Sequence, residues 1–355
     1  MKDGKLDLLV IFGGTSTEHE VSCKSAGLIL TKIDREKYNV RTIGITKEGK
    51  WIETTADPDK IAKGSWIRKR GNREAYICPD RSVHGISTMG GKKIWVDCVI
   101  PVLHGKDGED GTMQGLLEIA GLPYVGPKVL ASACAMDKSV TKILVEKTGI
   151  RQAKYYLTDR YTFSSGPMEE MENIRRVFHG NYPLFVKPAN AGSSVGISKV
   201  NSKEELFEGI KKAAMEDHKI LIEEAIVGRE MEIAVLGNRD PQASPIGEIL
   251  SAAEFYDYDA KYDNPASRTE VVTDLSPTKA CEMQAAALEI YKTLGCRGMS
   301  RVDFFLTENK EVVFNEVNTI PGFTEISMYP QLWEAAGVEG KELIDKLIEL
   351  AMEEE

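Results

Sequence analysis

Residues 300–318 read SRVDFFLTENKEVVFNEVN. Two runs rich in β-branched and aromatic residues flank the polar group TENK, the composition of a β-hairpin. A turn centred between Asn309 and Lys310 pairs Arg301 with Asn318, Asp303 with Glu316 and Phe305 with Phe314. The period of two puts all six side chains on one face. The aromatic pair is favourable, but two carboxylates directly opposite repel. A cation between Asp303 and Glu316 resolves that conflict. Two carboxylates with the amide oxygen of Asn318 are hard oxygen donors, of the kind that hold Mg²⁺ bridged to substrate phosphates. The hairpin alone leaves a second reading open, a solvated strand face with surface carboxylates, against which stands the company of two phenylalanines.

A polyphosphate beside such a cation needs a cradle, and KPANAGSSVG, residues 187–196, has the composition for one. It continues an apolar run, YPLFVK, that reads as a strand. Gly192 and Gly196 let backbone N–H groups approach an anion with no Cβ in the way, Ser193 and Ser194 add hydroxyl donors, and Lys187 supplies charge. The spacing is neither G-x-x-x-x-G-K-[ST] nor G-x-G-x-x-G. Taken by itself, a Gly/Ser loop is also an ordinary flexible connection.

The bulk properties set the bounds. A chain of 355 residues exceeds the usual size of one core, so two or three domains are expected. Hydrophobic residues at 42% and charged residues at 28% are ordinary for a soluble protein, and no apolar run reaches membrane-spanning length. No membrane association is expected. The start, MKDGKLDLLVIFGG, does not read as a signal peptide, which makes the cytoplasm the expected location. Cys23, Cys78, Cys98, Cys134, Cys281 and Cys296 form no C-x-x-C pair and read as free thiols. A net charge of -10 with no basic stripe argues against a nucleic-acid partner. An anionic small molecule requires local Lys, Arg or metal neutralisation.

Along the chain, LDLLVIF reads as a buried strand entering a glycine turn and a helix, with Thr17 and Glu20 spaced like a capping box. Strands at YNVRTIGIT and WVDCVIPVLH and the helix GTMQGLLEIAG continue an alternation that predicts a parallel α/β sheet. A second unit contains the helix around MDKSVTKILVEKTG, the strands YPLFVKP, ISKV and KILIEEAI, and the helix SKEELFEGIKKAAME. Strands REMEIAVLG and PIGEIL, the irregular AEFYDYDAKYDNPAS, a long helix near 277–294, the hairpin and a closing helix complete the chain. The expected division is 1–133, an N-terminal α/β domain; 134–228, a central lid subdomain; and 229–355, a C-terminal subdomain with the metal site and lid loop. The segment 253–267 is too rich in aromatic and charged residues for a passive connection, and long loops of this kind are often lids.

Lys138 at a helix start, Lys187, the Gly/Ser loop, the acids of IEEAIVGRE, then RVD and NEVN together resemble the ATP-grasp superfamily, in which ATP lies between two α+β subdomains. More closely, GGTSTEHEVS, LHGKDGEDGTMQG, MDK, KPANAGSSVG, EFYDYDAKY, SRVDFF and FNEVNTIPGFT resemble, in family order over residues 11–330, the D-alanine:D-alanine ligase family. The resemblance implies a mixed α/β and α+β chain, an ATP-grasp fold behind an N-terminal parallel, Rossmann-like α/β domain. It implies ATP-driven joining of two D-alanines through an acyl phosphate, for peptidoglycan precursors, in a cytoplasmic homodimer.

The same resemblance distributes roles. Lys138 and Lys187 hold ATP phosphates, and the loop through Gly192, Ser194, Val195 and Gly196 closes over them. Glu223, Glu224 and Ile226 contact adenine, and Glu230 binds ribose. Asp303, Glu316 and Asn318 bind Mg²⁺ or Mn²⁺, with two ions expected. Glu18 takes the ammonium group of the first D-alanine, with His104 beside that substrate. Helix-dipole stabilisation is the simpler reading of an acid at Glu18. Arg301 stabilises the oxyanion of the tetrahedral intermediate. Ser327 and the backbone of Gly322 hold the second substrate's carboxylate. Tyr262, bonded to Ser193 and linked to Glu18, closes the lid with Lys261 adjacent, keeping water from the acyl phosphate.

Where several bacterial members read T-S-H-S after Pro-Gly, this chain reads Thr324-Glu325-Ile326-Ser327. The lid pattern with Tyr262 departs from the D-lactate ligases of vancomycin resistance. It leaves a D-alanine:D-serine ligase open as the alternative, with a non-catalytic nucleotide-binding module as the rival of a different class.

Overall fold

The computed structural model describes residues 4–192, 195–250 and 268–353. Its strands form three sheets. The first comprises β1 (Leu6–Gly13), β2 (Tyr38–Ile45), β3 (Trp51–Thr54), β4 (Arg73–Ile77), β5 (Gly85–Thr88), β6 (Lys93–Trp95) and β7 (Cys98–Val102), ordered β6-β5-β4-β3-β2-β1-β7. Strand β1 is parallel to both neighbours, β2 and β7. It reads as an unbroken apolar run because both faces are covered. Leu8, Val10 and Phe12 enter one core with the helix His19–Lys32, and Leu9 and Ile11 enter another with Met113, Leu117 and Ala120 of the helix Thr112–Ala120.

The expected parallel sheet is thus parallel only at β2-β1-β7; β3 to β6 add an antiparallel extension. The single strand expected over WVDCVIPVLH is two. Asp97 separates them: its carboxylate accepts from the Asp7 N–H at 2.7 Å and from the Trp95 indole at 2.7 Å, a side-chain alternative to the ladder that turns the chain. The capping box is also corrected. The first helix starts at His19 with Glu18 as its N-cap residue, so Thr17 lies outside it and Glu20 pairs with Lys47. Ser16 accepts the Glu18 N–H instead, at 3.2 Å.

The second sheet, β8 (Tyr155–Asp159), β9 (Leu184–Pro188), β10 (Ser198–Val200) and β11 (Lys219–Glu224), is antiparallel in the order β10-β9-β11-β8. Leu184, Val186, Ile220 and Ile222 face a core built with the helices Pro167–Phe178 and Lys203–Glu216. Alternation therefore sends Lys187 and Glu223 to the opposite face.

The third sheet, β12 (Gly228–Leu236), β13 (Gln242–Leu250), β14 (Arg268–Val271), β15 (Met299–Thr307) and β16 (Val312–Asn318), runs β14-β13-β12-β15-β16. Its core takes in Met283, Ala287, Ile290 and Tyr291 of the helix Pro277–Thr293, together with Ala131, Ala135 and Val145. The last helices, Met328–Ala335 and Gly340–Met352, send Leu332, Trp333, Leu343 and Leu347 into the core beneath β1, binding the end of the chain to its beginning.

The hairpin of β15 and β16 pairs Arg301 with Asn318 and Asp303 with Glu316 as expected. The expected partnership of Phe305 with Phe314 does not form. Asn315 bulges, so Phe304 faces Phe314 and Phe305 faces Val313. The bulge turns Phe314 out of the acidic face and into the core, where its ring meets Phe304 edge-on at 6.2 Å. Its N–H reaches the carbonyl of Arg151 at 2.8 Å.

Candidate active site

The MDK motif is built around Asp137, which the sequence reading passed over. One carboxylate oxygen accepts from the N–H groups of Ser139 and Val140, at 3.0 and 3.3 Å, capping the helix Lys138–Glu146. The other bonds Lys219 of β11 at 2.6 Å. The cap fixes Lys138 at the first helical position, where the helix dipole and the ammonium group both favour an anion. The Lys138 Nζ donates to the carbonyl of Ala191 at 3.0 Å and lies 3.5 Å from Glu316, spanning the second and third sheets. The loop itself is anchored through Asn190, whose backbone and side-chain N–H groups both reach Asp217 at 2.8 Å.

Lys187 holds Glu223 at 2.6 Å, and the other Glu223 oxygen holds Lys142, another residue sequence reading missed, at 2.5 Å. Burial works to raise the Glu223 carboxyl, but the two ammonium groups outweigh it and hold it at about 2. Burial likewise opposes the Lys187 charge, yet Glu223, with Glu316 and Glu230 adding, keeps that ammonium above its ordinary range. Glu224 accepts the Lys154 N–H at 2.9 Å, and Ile226 is half-buried beyond it. Glu230 lies on β12 opposite Phe305.

On the third sheet, register places Glu232, Asp303 and Glu316 side by side on three adjacent strands. Glu232 is an acid that hairpin reasoning alone could not reach, since its strand comes from elsewhere in the chain. The charge is offset from within: Arg301 grips Asp303 with two bonds, 2.8 and 2.7 Å, and touches Glu232 at 3.1 Å. Burial opposes the guanidinium charge, and these carboxylates outweigh it, raising Arg301 well above its usual value. Asn318 donates its amide to Asp303 at 2.9 Å, which leaves its carbonyl oxygen as a donor to a cation. Among the described residues no three His, Cys, Asp or Glu side chains group as metal ligands. The hard oxygens of Asp303, Glu316 and Asn318 nonetheless fit Mg²⁺ or Mn²⁺ in chemistry.

Glu18 is buried at the helix entry, held between two glycines. A Cβ on Gly105 would come within 2.5 Å of its Oε2, and one on Gly192 within 2.8 Å. His104 bonds the carbonyl of Ile320 at 3.0 Å and Ser25 at 3.3 Å, and burial pushes its imidazole pKa down, favouring the neutral form. Glu109, within the LHGKDGEDG motif but assigned no role from sequence, accepts from the Gly105 N–H at 2.7 Å and the Ile320 N–H at 3.3 Å. Burial and the neighbouring Glu18 carboxylate push its carboxyl up to about 8. Ser327 accepts the Thr324 N–H at 2.9 Å, and a Cβ on Gly322 would lie 2.9 Å from its hydroxyl, so these two adjoin. Val195 donates to the Gly192 carbonyl at 3.2 Å, and Gly196, at φ +75°, turns the chain back toward β10. Ser193, Ser194, Lys261 and Tyr262 lie outside the described residues.

No helix among the described residues is long and apolar enough to cross a membrane. The family model for the D-Ala D-Ala ligase N-terminus matches residues 7–127, and that for the C-terminus matches residues 144–349. A D-alanine–D-alanine ligase of Acetivibrio thermocellus is 48% identical over 98% of this chain and 96% of its own length. D-alanine–D-alanine ligase B of Clostridium tetani is 47% identical over 98% and 94%. Among solved structures, the VanG D-Ala:D-Ser ligase of Enterococcus faecalis superposes with a TM-score of 0.88 at 40% identity, covering 98% of this chain and 99% of that one. The D-alanine–D-alanine ligase of Coxiella burnetii gives 0.87 at 36%, covering 98% and 94%. From its first strand to its last helix, the chain belongs to the D-alanine–D-alanine ligase family.

Proposed function

We propose that the chain joins two D-alanines into D-alanyl-D-alanine, a peptidoglycan precursor, with ATP as co-substrate. The observation that carries this reading is the convergence at one loop: Gly192 adjoins Glu18, and Ala191 adjoins the Lys138 ammonium beside Glu316. A carboxylate to accept the ammonium group, a lysine to hold phosphate and an acidic strand row thus meet at one loop.

The chemistry proceeds in two displacements. A carboxylate oxygen of the first D-alanine attacks the γ-phosphorus; an O–P bond forms, the β–γ bridge breaks and ADP leaves. The amine of the second D-alanine then attacks the acyl carbon; a C–N bond forms, the C–O bond to phosphate breaks, and the nitrogen loses its proton. Phosphoryl transfer asks for positioning and charge neutralisation more than covalent help. Lys138 and Lys187 serve the phosphates, and Glu223, Glu224, Ile226 and Glu230 line the adenosine end. Asp303, Glu316 and Asn318 would hold Mg²⁺ or Mn²⁺, which neutralises phosphate charge when bound. Glu18 and His104 orient the first substrate, Arg301 faces the developing oxyanion, and Ser327 with Gly322 holds the second carboxylate. Tyr262, Lys261 and Ser193 close the site against water. We also propose a cytoplasmic homodimer, on family likeness.

D-serine as second substrate is the other reading, favoured by the likeness to the VanG structure. The 45–48% identity to curated ligases named for D-alanine favours D-alanine. Equimolar D-alanine and D-serine with ATP and Mg²⁺ separates the two. Mainly D-alanyl-D-alanine supports the proposal, and mainly D-alanyl-D-serine replaces its second substrate.

A further inference from the structure

Lys142 enters none of the roles above, yet among the described residues it is the one buried lysine, 2% exposed. Its position follows from helix geometry. Four residues beyond Lys138, it lies one turn along the same face of the helix Lys138–Glu146. Its ammonium group sits 2.5 Å from one oxygen of Glu223, whose other oxygen is 2.6 Å from Lys187. Gln152 ties the backbone in place by donating to the Lys142 carbonyl at 2.9 Å, and the Tyr155 ring lies 5.3 Å from the ammonium.

Charge counting gives the arrangement a purpose. A lone Lys187–Glu223 pair is neutral and would present no net charge to a phosphate. Moving Lys187 onto a phosphate would also leave Glu223 as an unpaired buried carboxylate, a costly state. With Lys142 on the far oxygen, the triad carries one net positive charge, and Glu223 stays compensated when Lys187 shifts. We infer that Lys142 is a positioning residue for the triphosphate: held behind Glu223, it frees the charge of Lys187 for the ligand. The inference rests on the reading that Lys187 faces the ATP phosphates.

Binding of ATP and of adenosine, each with Mg²⁺ and without D-alanine, tests it, because a merely structural role moves both ligands together. Lys142→Met is expected to weaken ATP roughly tenfold or more beyond whatever change it makes to adenosine, since its partner Glu223 also lines the adenosine end. The double variant Lys142→Met/Glu223→Gln restores a single net charge and removes the stranded carboxylate. Its ratio of ATP to adenosine affinity should return to within about threefold of the wild type, even if the single variant does not fold. Equal losses of both ligands in the single variant, or a double variant that keeps a depressed ratio, would overturn the inference. Lys187→Met separates the levels. If it weakens ATP and Lys142→Met does not, only the role of Lys142 fails. If neither weakens ATP, the phosphate reading of Lys187 fails with it.

Discussion

The carboxylate of Glu18 abuts the backbone of Gly192, so closely that a Cβ there would sit 2.8 Å from Oε2. The same oxygen also abuts the backbone of Gly105, where a Cβ would come within 2.5 Å of it. Gly192→Ala must therefore displace either the loop or the carboxylate proposed to receive the first substrate's ammonium group. The expected result is a loss of about tenfold or more in kcat/KM for D-alanine, since displacements of about 1 Å cost on that scale and beyond. Thermal stability should stay close to that of the wild type.

Arg301 pairs with two acids of the row, and its removal takes a buried counter-charge from both Glu232 and Asp303. Arg301→Met should lower stability by about 3–5 kcal/mol, read from the denaturant midpoint. Turnover should fall by about 10² to 10³, the usual scale for a lost oxyanion donor. Unchanged turnover in folded protein would remove Arg301 from the chemistry.

Glu109 gives a pH signature. Its carboxyl is raised by burial and by Glu18 to about 8, from an ordinary value of 4.5. Between those two values the folded state holds a proton that the unfolded state has released, so stability falls as pH rises through that window. Glu109→Gln has no such proton to lose. Relative to the variant, the wild type should lose stability at about 1.4 kcal/mol per pH unit at the steepest. Parallel stability curves for the two proteins from pH 5 to 8 would refute the protonated carboxyl.

Tyr262→Phe tests the proposed lid. Loosened closure admits water to the acyl phosphate, so the variant should release more phosphate per dipeptide formed than the wild type. Unchanged coupling would remove the tyrosine from that role.

What the sequence made legible follows the range of its interactions. The pairing of Asp303 with Glu316 and Arg301 with Asn318 is local to one hairpin, and strand period alone reached it. The Phe305 pairing failed because one bulged residue, Asn315, reverses the faces beyond it, a change driven by the aromatic core rather than by the turn. Lys138 and Lys187 stand in motifs with recognisable composition. Lys142 and Glu232 do not, and their meaning depends on Glu223 and Asp303, far along the chain. Asp137 is the exception, an N-cap residue standing directly before the helix Lys138–Glu146 in the sequence. The strands β3 to β6 are short, the longest five residues, and offer too little alternation to stand out.

The most direct test is the product itself. Incubation with ATP, Mg²⁺ and D-alanine, with phosphate counted and products weighed by mass spectrometry, should give D-alanyl-D-alanine and one phosphate for each dipeptide. Absence of D-alanine-dependent phosphate release, with nucleotide still bound, would contradict the ligase reading and leave a nucleotide-binding module in its place.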